Sequence, residues 1–236
     1  MTDLEYLRKY YQGNLEQAIK RLENGEPVQY IVGNVDFYGL NFIVNKDVLI
    51  PRFETEELVE KTINIIKKHF NKNLAIVDLG TGSGCIAITL KKELDANIDA
   101  VDISVSALEV AKKNALNNKV EINFYLGDML EPLSKKYDVI ISNPPYIAYN
   151  EQIMEIVKNN EPHTALYADH NGLFFYEEIL KNAKGYLNEN YLIAFEIGET
   201  QGESIKEIAK QYLDNCKVQI EKDLTGSDRF VFIIGD

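Results

Sequence analysis

Basic side chains are in deficit: Lys and Arg number 25 against 37 Asp and Glu in 236 residues, a formal net charge of −12. Binding to phosphate backbones rests largely on Lys and Arg, so this balance argues against nucleic acid as the default partner. Cysteine is scarce too. Cys85 and Cys216 make neither a disulfide framework nor a metal knuckle, which fits a reducing compartment. The three histidines, His69, His163 and His170, lack ligand spacing with cysteine or with one another, so no metal is expected. No apolar run approaches the ~20 residues of a membrane span, and the charged first ten residues hold no signal-peptide core. A cytoplasmic protein away from the membrane is expected. Internal repeats and low-complexity tracts are missing as well. What is present is ordinary for a folded chain: 45% hydrophobic and 26% charged residues, enough apolar side chain to offset the ordering entropy.

Periodicity organises the chain. Leu15, Ala18, Ile19 and Leu22 share one helical face. Asn14 and Gln17 resemble a capping box, and Gly25 and Pro27 end the helix. Leu4, Leu7 and Tyr11 suggest a shorter helix before it. Residues 28–50 change period and read as a β-hairpin-like connector ended by Pro51. A helix then starts near Thr55, with Glu56 and Glu57 in its first turn and Val59, Ile63, Ile66 and Phe70 on its apolar face. From residue 74 strands and helices alternate. Strands are expected at 74–79, 97–103, 120–126, 137–142, 191–197, 217–222 and 229–234, and helices at 83–93, 105–117, 173–185 and 202–212. Continuous apolar strands alternating with helices predict a doubly wound, mostly parallel α/β sheet of seven strands. The last strand, with no helix before it, is expected to be antiparallel. The expected units are a helical segment at 1–27, the connector at 28–50 and the main domain at 51–236.

Asp78-Leu79-Gly80-Thr81-Gly82-Ser83-Gly84 lies between a strand and a helix. In a doubly wound sheet such a turn stands at the carboxyl edge, where ligands bind. Its glycines let a ligand approach the backbone. The dinucleotide fingerprint would need a third glycine at the position of Cys85, so the ligand need not be a pyrophosphate. Asp102, 22 residues beyond Gly80, stands where an acidic residue meets a ribose. Asp128 and Met129, after the third strand, suit the amine and flat face of an adenine. Together these describe an adenosine-containing ligand without a diphosphate, and S-adenosylmethionine fits.

Asn143-Pro144-Pro145-Tyr146 follows the fourth strand. Two prolines fix φ and remove two backbone donors. The corner therefore offers acceptors, the Asn143 side-chain oxygen and the Pro144 carbonyl, which suit the two hydrogens of an NH₂ group. Tyr146 adds a face for stacking. A planar amide nitrogen is a weak nucleophile because its lone pair is delocalised. Two fixed acceptors aim it and stabilise the positive charge it gains. Glu196, in the apolar run Ala194-Phe195-Glu196-Ile197, needs a partner; it either lines the site or pairs with a Lys or Arg. Cys85, just inside a helix, is expected to pack.

Asn143-Pro144-Pro145-Tyr146, the loop Gly80–Gly84 and Pro51-Arg52-Phe53-Glu54-Thr55-Glu56 together resemble the HemK/PrmC family of protein-(glutamine-N5) methyltransferases. Glu161-Pro162 with Ala165-Leu166, Phe195-Glu196 with Gly198, and Asp228-Arg229 extend the resemblance over roughly residues 27 to 235. It implies a class I, Rossmann-like fold that uses S-adenosylmethionine to methylate the glutamine in the Gly-Gly-Gln tip of peptide chain release factors. It further implies cofactor contacts at Gly80, Thr81, Gly82, Ser83, Gly84, Asp102 and Asn143, and substrate contacts at Asn143, Pro144, Pro145 and Tyr146. Met129 replaces a family tryptophan beside the adenine, and Phe53 is expected near the cofactor. Family members usually carry a larger helical domain before the hairpin, where about 25 residues stand here, so the release factor is expected to be gripped less firmly or differently.

Other functions share these motifs. An N-P-P-Y corner also serves amino-group methyltransferases of nucleic acids, with the base flipped out and stacked on the tyrosine; the acidity and the lack of a target-recognition domain weigh against that. A related branch methylates a ribosomal-protein glutamine. A nucleotide-binding scaffold without catalysis would not need Asn143.

Overall fold

The computed structural model describes residues 2–70 and 73–235. Helices α1 (Asp3–Tyr10), α2 (Leu15–Glu23) and α3 (Val28–Val32) pack around Leu7, Ala18, Val28 and Ile31. The Asn14 side chain caps α2 by accepting the Gln17 N–H at 3.1 Å. The hairpin β1 (Asn34–Phe37) and β2 (Leu40–Ile43) follows. The first residues of the expected connector are thus helical rather than extended. Val28, Ile31 and Val32 favour strands by propensity, but Pro27 stands at the N-cap of this short helix and Gly33, at φ 86°, closes it in the left-handed conformation.

The sheet begins after α4 (Phe53–His69). In chain order come β3 (Leu74–Leu79), α5 (Cys85–Glu93), β4 (Ala96–Asp102), α6 (Val105–Asn117), β5 (Asn123–Leu126) and β6 (Tyr137–Ser142). A two-residue parallel pair, β7 (Ile147–Ala148) with β8 (Tyr167–Ala168), brackets α7 (Glu155–Asn160). The turn α8 (Asp169–Gly172), α9 (Phe174–Ala183), β9 (Leu187–Glu196), α10 (Gly202–Tyr212), β10 (Cys216–Lys222) and β11 (Asp228–Gly235) complete the chain. Seven strands lie in the order β10-β11-β9-β6-β3-β4-β5, with β11 antiparallel to both neighbours and the other pairs parallel.

Successive residues of the central strands serve opposite faces, as the strand period requires. Ile76, Val139 and Phe232 join the layer under α4 and α5. Their neighbours Val77, Ile140 and Val231 join the layer under α9 and α10, with Tyr176 and Ile205. Burial on both faces explains why the strands read as continuous apolar runs. The chain passes from β3 outward through β4 to β5 and returns at β6 beside β3, with Leu79 level with Ser142. That reversal opens a crevice beyond the carboxyl ends of β3 and β6, so the residues after Leu79 and after Ser142 are neighbours. Among the described residues no helix is long and apolar enough to cross a membrane.

Candidate active site

The turn after β3 is held from below. The N–H groups of Gly80 and Thr81 both donate to the Val101 carbonyl at 2.9 Å. The Thr81 hydroxyl donates to Asp78 Oδ2 at 2.6 Å. Asp78 is fully buried, and burial pushes its carboxyl up to about 7 against that hydrogen bond. The glycines divide the work. Gly80 and Gly82 hold φ of 70° and 54°, and a Cβ on either would meet nothing within 4 Å; they shape the loop and leave the space above it open. A Cβ on Gly84 would stand 3.0 Å from Ile88 and 3.2 Å from Ala111, so that glycine serves the approach of α6 to the start of α5.

Asp102 ends β4 and braces the same turn. Its Oδ2 accepts from Gly82 N at 2.8 Å and its Oδ1 from Ser104 N at 2.9 Å. Burial raises its pKa while these N–H groups oppose the rise. On the far side, buried Asn114 of α6 joins three segments: Nδ2 donates to the Ile43 and Ser83 carbonyls, both at 2.9 Å, and Oδ1 accepts from Ile43 N at 2.7 Å.

A cavity of about 610 Å³ opens over this turn. Of the residues expected to bind, Gly80, Gly82, Asp102, Asp128, Met129, Asn143 and Pro145 line it. Thr81 and Ser83 are buried, and neither they nor Gly84, Pro144 or Tyr146 line it. Phe53 is 60% exposed at the first position of α4 and lines neither this cavity nor the one behind it. The wall also contains residues that periodicity could not nominate: Val48 and Leu49 after the hairpin, Tyr149, Lys158 and His163 around α7, and Phe174 and Phe175 of α9.

Asn143 also borders a smaller cavity of about 90 Å³ with Leu49, Arg52, Tyr146, Leu166 and Glu196. Here the partner of Glu196 is revealed. Glu196 is buried and accepts at Oε2 from the Thr55 hydroxyl at 2.7 Å, while Thr55 Oγ1 accepts from Asn143 Nδ2 at 3.1 Å. Burial pushes Glu196 up to about 7, opposed by the Thr55 hydrogen bond and by Arg229. Arg52 donates to Glu161 Oε1 at 2.5 Å, and Ile50 N donates to Glu161 Oε2 at 3.2 Å, clasping the segment after β7 to the start of α4. Gln201 fixes the corner itself: Nε2 donates to the Tyr146 carbonyl at 2.9 Å, and Oε1 accepts from Gly198 N at 2.9 Å. Burial lifts the Tyr146 phenol far above its usual range. Cys85 is buried and its thiol pushed up to about 12, so it packs and does not react.

The fold with this crevice is that of the Rossmann-like methyltransferases, and residues 55–175 match the family model described as methyltransferase small domain. A methyltransferase structure from Pyrococcus furiosus superposes with a TM-score of 0.64 at 17% identity, covering 94% of this chain and all of that one. A Thermus thermophilus 16S rRNA N2 G1207 methyltransferase, solved with AdoMet and guanosine, gives 0.61 at 12% identity over 86% of this chain and 50% of that one. Sequence relatives narrow the class. The release factor glutamine methyltransferase of Bacillus cereus is 39% identical over 98% of this chain and 84% of its own length; that of Bacillus subtilis is 42% identical over 92% and 78%. The chain belongs to the release factor glutamine methyltransferase family.

Proposed function

We propose that this chain, acting in the cytoplasm, transfers a methyl group from S-adenosylmethionine to the N5 nitrogen of the glutamine in the Gly-Gly-Gln tip of a peptide chain release factor. The observation that carries this beyond family membership is the setting of Asn143. Its Nδ2 is committed to Thr55, which leaves Oδ1 as an acceptor on the wall shared by both cavities. The larger cavity suits the methyl donor. Its volume lies within the ~300–1,000 Å³ of small-molecule sites, Gly80 and Gly82 leave their side of it clear, and Asp102 has further lone pairs for ribose hydroxyls. Gly80, Gly82, Asp102, Asp128 and Met129 would hold S-adenosylmethionine, which supplies when bound an electrophilic methyl on a sulfonium.

The remaining chemistry belongs to the chain's own residues. Asn143 Oδ1 and the Pro144 carbonyl accept the two hydrogens of the glutamine carboxamide. Pro144 and Pro145 contribute no N–H to compete for those acceptors. Accepting both hydrogens stabilises the positive charge that grows on nitrogen as its lone pair leaves conjugation. Tyr146 walls the substrate side, and holding the nitrogen against the methyl provides the rest by proximity. No base is needed before transfer, because the proton leaves afterwards to water.

The test is mass spectrometry of a release factor after incubation with the protein and S-adenosylmethionine. One added methyl on the tip glutamine is expected. Label appearing in nucleic acid or in a ribosomal protein, with none in the release factor, would overturn the assignment.

A further inference from the structure

Thr55 and Glu196 are 141 residues apart in sequence and meet beside Asn143. Thr55, 3% exposed, lies in the first turn of α4. Glu196, 2% exposed, ends β9, the strand paired with β6 just before Asn143. A threonine hydroxyl has a single hydrogen, and an ionised carboxylate can only accept. While Glu196 is ionised the hydrogen is committed to it, and Oγ1 keeps only lone pairs for Asn143. Asn143 must turn its NH₂ to Thr55 and its oxygen to the site. The two ends of an asparagine amide are nearly the same shape, so sterics do not forbid the reversed rotamer; hydrogen-bond direction does. Reversed, its NH₂ would face the NH₂ of a glutamine, donor against donor.

We propose that Thr55 and Glu196 are positioning residues: the Glu196 carboxylate sets the direction of the Asn143–Thr55–Glu196 chain, and that direction makes the corner select a carboxamide over a carboxylate. This deepens the assignment above and rests on it for the identity of the substrate. A protonated Glu196 can donate to Thr55, which frees the hydroxyl hydrogen to turn toward Asn143 and permits the reversed rotamer. The groups acting on Glu196 are Arg52 and Glu54 at the start of α4, Arg229 of β11, Tyr146 of the corner, Tyr176 of α9 and Cys85 of α5. The arginines favour the carboxylate; burial and Glu54 oppose it. The selection is accordingly expected to weaken on the acid side of neutrality.

Thr55→Val keeps the shape and removes both hydrogen bonds, whereas Thr55→Ser keeps both. Turnover on a Gly-Gly-Gln tip peptide should fall about tenfold or more in T55V, the loss of one oriented hydrogen bond, and recover in T55S. The inhibitory strength of a Gly-Gly-Glu peptide relative to the glutamine peptide should rise in T55V and return in T55S. A general loss of packing would not move that ratio. A second readout needs no substrate. The side-chain amide signal of Asn143, assigned by its loss in N143D, should shift with pH through a single midpoint in the wild type and stay still in E196Q. A folded T55V, with wild-type donor affinity by calorimetry, that keeps both its turnover and its peptide preference would overturn the proposal, as would an Asn143 signal indifferent to Glu196. A wild-type protein inert on release factor whose Asn143 signal still follows Glu196 would leave the hydrogen-bond chain standing and remove the substrate.

Discussion

Replacing Gly172 by alanine should damage the methyl-acceptor corner more than the donor site. Gly172 closes a turn in which three consecutive residues, His170, Asn171 and Gly172, have φ of 54°, 56° and 83°. For an L-residue the left-handed region costs about 1–2 kcal/mol. The added Cβ would lie 2.0 Å from the Tyr146 carbonyl oxygen and 2.5 Å from Gln201 Nε2, separations that must open. Opening them breaks the Gln201–Tyr146 hydrogen bond, a further net loss of about 1 kcal/mol. The sum is roughly 2–3 kcal/mol, which for a chain of this size lowers Tm by about 5–10 °C. Because Tyr146 is displaced while Gly80 and Gly82 stand in the turn after β3 and Asp102 ends β4, kcat should fall much further than donor affinity. Scanning calorimetry, isothermal titration with S-adenosylmethionine and methylation kinetics give the three numbers. An alanine variant with wild-type Tm and wild-type kcat would refute the steric reasoning, and one that lost donor binding first would refute the separation of the two sites.

Asn143→Ala should retain donor binding and lose about a hundredfold or more in turnover, the scale on which a positioned transition-state partner acts; full activity would discredit the corner's role. Asp102→Ala should weaken the donor by about 1.5–3 kcal/mol, since a ribose partner and the Gly82 anchor go together; an unchanged calorimetric Kd would show that the ribose lies elsewhere. Stability should carry the mark of Asp78, whose folded pKa of about 7 exceeds the unfolded carboxylate value. The native state holds a proton that the unfolded chain releases, so this group's contribution is present at acid pH and lost as pH rises toward its folded value. The unfolding free energy of Asp78→Asn minus that of the wild type should therefore grow between about pH 4 and 7 in urea titrations of the donor-free protein, and a constant difference would contradict the sign.

Local rules carried most of the sheet. Helix α6 has the bounds expected from Leu108, Ala111 and Ala115, and Ser104 caps it through the Ala107 N–H. Strand β6 ends where the prolines forbid further pairing. What escaped has physical causes. In Val28–Val32, end signals from Pro27 and Gly33 outweigh strand propensity. Val120 and Ile122 extend the alternating pattern of β5, but residues 120–122 lie outside the ladder, which starts at Asn123. Tyr149, Lys158 and His163 reach the cavity from a segment held by two-residue strands and the Arg52–Glu161 clasp, contacts with no period to detect. Glu196 was legible as a carboxylate needing a partner. Its partner, Thr55, was not, because a hydroxyl at a helix start has an ordinary local use and the pairing exists only once α4 crosses the end of β9.

The Asn114 amide gives the hairpin and the glycine turn a common anchor. Since one side chain holds both Ile43 and Ser83, neither can drift without straining the other. Seating a small molecule in the turn should therefore quiet the hairpin as well, and slowed deuterium uptake at the Ile43 amide should serve as a remote gauge of occupancy, legible before any methyl has moved.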